Sequence, residues 1–202
     1  QGIVAQQSNL PAASTQVASL DKQGGVLVSE LHGRYYQQAY ARNVFSVASQ
    51  AVATTTVGLA TTYTGLVLSN TIGSPVNLVL NKASVMQSVI QAVQVEAFAL
   101  ATGFNNSTNV THTTPATPQS TFIGSGVSAQ AKADVSATLP TAPLYYMFAT
   151  NTASATQNAP GITIDLEGSL IIPPGGYVLW VTPGQASVAG MWFSFQWEEV
   201  LI

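Results

Sequence analysis

An all-β chain is the architecture this sequence predicts, folded as a jelly-roll-like sandwich of two sheets behind an extended N-terminal arm. Three observations carry that reading. Runs rich in Val, Ile, Thr and aromatic residues recur at short intervals between Gly, Pro, Asn and Ser; no stretch sustains a long helical period; and 202 residues suit a single core. Many short strands at turn spacing close into a sandwich or a barrel, and a two-sheet jelly roll is the leading choice at this length. Residues 1–42 read as the arm and a connecting segment, and residues 43–202 as the sandwich.

Residues 1 to 28 are small, polar and Gln-rich without a period of 3.6 or 2, which predicts an extended arm. Residues 29–42 predict a short helix or an irregular strand, with Gly33 opposing a good helix. Three of the five basic residues and three of the seven tyrosines precede position 43. Tyr and Arg are enriched at interface cores, so Val26, Leu27, Arg34, Tyr35, Tyr36, Tyr40 and Arg42 are the candidate partner-binding residues.

Short strands follow. Val44–Val47, Ala53–Val57 and Gly65–Ser69 have the composition of strands, and Asn70–Pro75 that of a turn. Val76, Leu78 and Leu80 then alternate with Asn77, Val79 and Asn81, and Val93, Val95, Ala97 and Ala99 alternate with Gln94, Glu96, Phe98 and Leu100; each run predicts one buried face. Residues 103–120, with two prolines and few large apolar side chains, read as the longest loop. Beyond it, Leu144–Ala149, Ile162–Glu167, Ser169–Ile172, Tyr177–Val181 and Met191–Trp197 are separated by Gly- and Pro-rich turns. In the last of these Met191, Phe193, Phe195 and Trp197 form a core face, leaving Trp192 partly covered or at an interface.

Charge narrows the function. Only 6% of residues are charged, the formal net charge is −3, and 67 of 202 residues are Thr, Ser, Gln or Asn. Five basic residues cannot supply the cationic surface that phosphate backbones require, so direct nucleic-acid binding is not expected. The 47% apolar content predicts a core rather than disorder. No apolar run approaches the roughly 20 residues of a membrane span, and no signal-peptide pattern opens the sequence. With no cysteine there are no disulfides or thiolate metal sites.

Catalytic patterns are sparse. His32 beside the arm and His112 in the Thr-rich loop belong to no catalytic motif, and Gly124-Ser125-Gly126 reads as a glycine-rich turn. Glu198 and Glu199, adjacent on a strand, point to opposite faces. Asp165 and Glu167 share a face two residues apart, which makes them a weak candidate metal pair and the basis of a glycan-hydrolase alternative. Lys132 and Asp134 read as an exposed ion pair, and Asn105, Asn106 and Asn109 head Asn-x-Ser/Thr triplets. No cofactor is expected. A surface of hydroxyls and amides carries little charge to desolvate and suits subunit contacts, so a homo-oligomer is.

Glu30-Leu-His-Gly-Arg-Tyr-Tyr36, Asn43-Val-Phe45, Gly65 to Ser74 followed by Asn77-Leu-Val-Leu80, Ile172-Pro-Pro-Gly-Gly-Tyr-Val-Leu, and an ending in Trp197-Glu-Glu together resemble a pattern in tailed-bacteriophage virion proteins. Where that pattern has Asn-Pro ahead of Gly-Ser, this chain has Asn70-Thr71. The resemblance implies a non-enzymatic jelly-roll subunit of the decoration, cement or head-fibre type, located on the capsid surface of the virion. Its implied partners are the major capsid protein and two further copies of itself. The alternative is a host-recognition module in which the 103–120 loop and other loops at one end contact a surface glycan or receptor.

Overall fold

The computed structural model describes residues 33–87, 97–150, 161–184 and 190–202, so the arm, with Val26 and Leu27, lies outside the described residues. The chain divides after Arg34, and the unit of residues 35–202 is described here. Its described residues hold one short helix, α1 (Tyr36–Tyr40), and twelve strands: β1 (Val44–Ala48), β2 (Thr62–Ser69), β3 (Val76–Gln87), β4 (Phe98–Phe104), β5 (Thr111–His112), β6 (Pro115–Ala116), β7 (Gln119–Ser120), β8 (Lys132–Thr138), β9 (Leu144–Thr150), β10 (Ile162–Ile172), β11 (Gly176–Val181) and β12 (Met191–Leu201). The expected boundary at 42/43 therefore falls inside this unit.

The pairing is that of a long hairpin rolled up. β1 pairs with β12, β2 with β11, β3 with β10 and β4 with β9, all antiparallel. Successive members alternate between a five-stranded sheet, β10-β3-β12-β1-β7, and a seven-stranded one, β5-β8-β2-β11-β4-β9 with β6 also on β8. This is the expected all-β sandwich, with jelly-roll strand order and an insertion, β5 to β8, between its fourth and fifth main strands.

Strict alternation drives the inner core. On β12, Met191, Phe193, Phe195 and Trp197 are buried as expected, and Trp180 of β11 stacks on Phe195 across the two sheets at 6.5 Å between ring centroids. The central strands of the seven-stranded sheet are covered on both faces. Val178 and Trp180 enter the core between the sheets, while Tyr177, Leu179 and Val181 join Tyr63, Val67, Ala99, Ala101, Val110 and Leu139 in a second cluster on the opposite face.

That second cluster corrects the reading of residues 93–100. Residues 93–96 lie outside the described residues, and the observed strand, β4, begins at Phe98 and buries both faces over its first four residues. Ala53–Val57 is not a strand. It crosses the end of the sandwich, with Ala53 bridging Met191 in one sheet, Val57 bridging Thr182 beside the other, and buried Thr55 sharing a 2.8 Å hydroxyl contact with Thr182. Asn81, expected on the solvent face, is buried because the β3–β12 register skips it between Gln196 and Trp197, which turns the bulged residue inward.

Gly65 and Gly103 allow the buried Tyr63 and Tyr177 to lie flat on the sheet. Tyr177 sits opposite Gly103 in the register, and a Cβ on Gly103 would fall 2.1 Å from its hydroxyl oxygen. The Tyr177 hydroxyl is fixed by donating to the Thr141 carbonyl at 2.7 Å, so the ring cannot retreat. Gly103→Ala is therefore expected to cost about 1–3 kcal/mol of stability as an overpacking change, readable as a lower urea midpoint at unchanged slope.

Candidate functional site

Asn105 starts the segment that replaces the expected long loop. Its Oδ1 accepts from the Ser107 and Thr108 amides at 2.9 and 2.8 Å, closing a turn as the chain leaves β4. Asn109 Oδ1 then accepts from the Ile72 amide at 2.8 Å, and Val110 enters the second cluster. β5 and β6 add to the free edge of β8, after which β7 adds to the free edge of β1. Residues 105–122 are thus a strap that ties one edge of each sheet, not the free loop that composition predicted; isolated two-residue strands in a Thr- and Pro-rich stretch leave no periodic signal.

A Ser–His–Asp constellation lies beneath the strap. Ser69 Oγ, at the end of β2, is 3.3 Å from His112 Nε2 on β5, and His112 Nδ1 is 3.4 Å from Asp134 Oδ2 on β8. Asp134 is fully buried and is the only charged side chain buried among the described residues, which corrects its expected exposed pairing with Lys132. Its Oδ1 accepts from the Thr114 amide at 2.9 Å and the Ser136 amide at 2.6 Å, so backbone donors replace water around the carboxylate. The connectivity matches that of an acyl-transfer triad. The access does not: Ser69 is 3% exposed, with its Oγ held between the imidazole and the Lys132 carbonyl at 3.4 Å. Sequence reasoning missed the cluster because residues 69, 112 and 134 meet only through the insertion; the one available signal was a lone carboxylate in the Ala-rich strand β8.

Among the described residues the other acids do not form a centre. Asp165 is exposed and pairs with Lys82 at 3.1 Å. Glu167 is exposed too, at φ 51, where β10 leaves its ladder with β3 between Asp165 and Leu170. Among the described residues no group of three or more His, Asp or Glu is placed to hold a metal ion. Glu199 accepts from the Gln130 and Ala131 amides at 3.0 Å each, while burial pushes the Glu198 carboxyl above its ordinary value.

Of the expected partner residues, Tyr36, Tyr40 and Arg42 form one exposed patch with Phe122. α1 ends with the Arg42 amide donating to the Ala39 carbonyl and the Asn43 amide to the Gln38 carbonyl, the Schellman pattern, with Arg42 at φ 67. Tyr36 and Tyr40, four apart, stack at 5.9 Å; Tyr40 meets Phe122 edge-on at 6.0 Å, and the Arg42 guanidinium lies over the Phe122 ring at 5.6 Å. Ile123, 93% exposed, extends the patch. Arg34 and Tyr35 precede it in the chain.

A larger apolar surface went unforeseen. β9 is the last strand of the seven-stranded sheet, and Leu144, Tyr145, Tyr146, Met147 and Phe148 are all exposed along it, Leu144 at 71% and Phe148 at 61%. The sequence marked this run as a strand but could not mark it as an edge. Trp192, expected partly covered, is half-buried in a shallow groove of about 380 Å³ with Met86, Ser84, Thr163 and Ser194. No family model matches the chain, and no curated protein or solved structure matches it significantly. Among the described residues no helix is long and apolar enough to cross a membrane.

Proposed function

We propose that this chain is a non-enzymatic structural subunit of a viral particle, which docks on the outside of a phage capsid as a homo-oligomer and decorates or stabilises the shell. The observation that carries the reading is the contrast between the edges of the sandwich. On one side the strap and β8 cover the edges of β1 and β2; on the other, β9 presents five consecutive large apolar residues with no charge among them. Open apolar edges invite association, and natural monomers guard them with charge or cover. A second copy offers the same uncharged strand, so the contact forms without desolvating any ion. The resemblance to phage virion proteins implies three copies.

The patch of Tyr40, Phe122 and Arg42 is then the surface offered to the capsid lattice. It combines stacked aromatics with a single guanidinium, the composition of interface hot spots. The host-recognition alternative assigns the contact to residues 103–120 and other loops at one end, and the strap pins the first of these. In a co-sedimentation assay with shells lacking this protein, Tyr40→Ala combined with Phe122→Ala is expected to weaken capsid binding by at least about tenfold while the oligomer persists. Unchanged binding would place the capsid contact elsewhere.

A further inference from the structure

We propose that His112 makes the strap an acid-released latch: with the imidazole neutral the strap is held across both sheet edges, and protonation loosens residues 111–122, including Phe122 against Tyr40 and Arg42. The inference stands independently of the virion reading.

The geometry favours the neutral ring. Ser69 Oγ can donate to Nε2 at 3.3 Å while Nδ1–H faces Asp134 Oδ2 at 3.4 Å, a contact too poorly aligned to count as a hydrogen bond. A second proton on Nε2 turns that acceptor into a donor. Ser69 must then reverse its hydroxyl and rely on the longer 3.4 Å contact to the Lys132 carbonyl. The groups facing the ring are Asp134 and Lys132 from β8 and the Ser69 hydroxyl from β2, so the attraction of one carboxylate is opposed by one ammonium. Burial, the largest influence, together with Lys132, outweighs Asp134 and holds the His112 pKa below its ordinary value. A histidine shifted in that direction stabilises the fold fully above its unfolded pKa, near 6.5, and loses that contribution as pH falls through the folded value.

The mechanical consequence follows from the chain path. Thr114 N donates to Asp134 two residues after His112, and Thr121, one residue before Phe122, is tied to β1 by its amide and hydroxyl, which donate to the Val44 carbonyl at 3.0 and 3.1 Å. The latch and the aromatic patch are two ends of one short segment.

Hydrogen exchange of the full chain, followed from about pH 8 to about pH 5 and corrected for intrinsic exchange, tests this. The expected result is a several-fold loss of protection at Thr114 and Thr121 relative to the β11 amides on acidification, abolished in His112→Gln. Protection that keeps its ratio to β11 across the range, or the same loss in His112→Gln, would overturn the proposal. Should that variant fail to fold, NMR titration of the wild type decides: of its two histidines, His112 is expected to titrate below the ordinary value, and titration at or above it overturns the latch.

Discussion

Trp180→Ala is expected to lower the free energy of unfolding by about 3–5 kcal/mol, a large share of what a domain of this size possesses. The side chain is fully buried at the centre of the sandwich, stacked on Phe195, and its own carbonyl accepts the Tyr63 hydroxyl, whose ring caps the second cluster. One truncation therefore opens a cavity between the sheets beneath the strand that both cores share. The chemistry is purely packing, because the indole Nε1 has no hydrogen-bond partner. Trp180→Phe, which deletes that unpaired donor and keeps most of the volume, is accordingly expected to cost much less. Urea denaturation of the two variants separates these outcomes, and equal losses would contradict a packing role.

Leu144→Asp combined with Phe148→Asp is expected to raise the dissociation constant of the proposed oligomer by at least about a hundredfold, since burying even one unpaired carboxylate in an apolar contact costs several kcal/mol and each 1.4 kcal/mol is tenfold. Both side chains are exposed on β9, so the unfolding midpoint of the dispersed chain should stay near that of the parent fold. Sedimentation velocity reads the first effect and thermal denaturation the second. Unchanged sedimentation would remove β9 as the subunit contact.

How far the fold was legible follows from where its information lies. Alternation over Val76–Leu80 and Met191–Trp197 is local, and those faces are buried as period two requires. Composition marks Asn70–Pro75 as a turn but does not reveal that buried Asn70 joins it to β3 and β10 by donating to the Val76 and Ile172 carbonyls at 2.8 and 3.1 Å. Alternation fails where the β3–β12 register shifts, at Asn81, because a bulge is set by the partner strand. The strap fails for another reason: its order comes from Asn109 and Asp134 accepting the backbone amides of Ile72 and Thr114, far away in sequence, and no spacing announces such pairs. Of the candidate surface, Tyr36, Tyr40 and Arg42 were legible as aromatic and basic residues near the arm, whereas Phe122 joins them only because β7 returns to β1. β9 carried the signal of a buried strand, and only the topology makes it an edge.

The mass of the purified chain in solution, taken alone and again after mixing with capsids that lack it, shows whether this sandwich assembles on a shell. A discrete oligomer, three copies by the resemblance, that saturates capsid sites in a fixed ratio is the expected result. A monomer at every concentration that ignores capsids would contradict it.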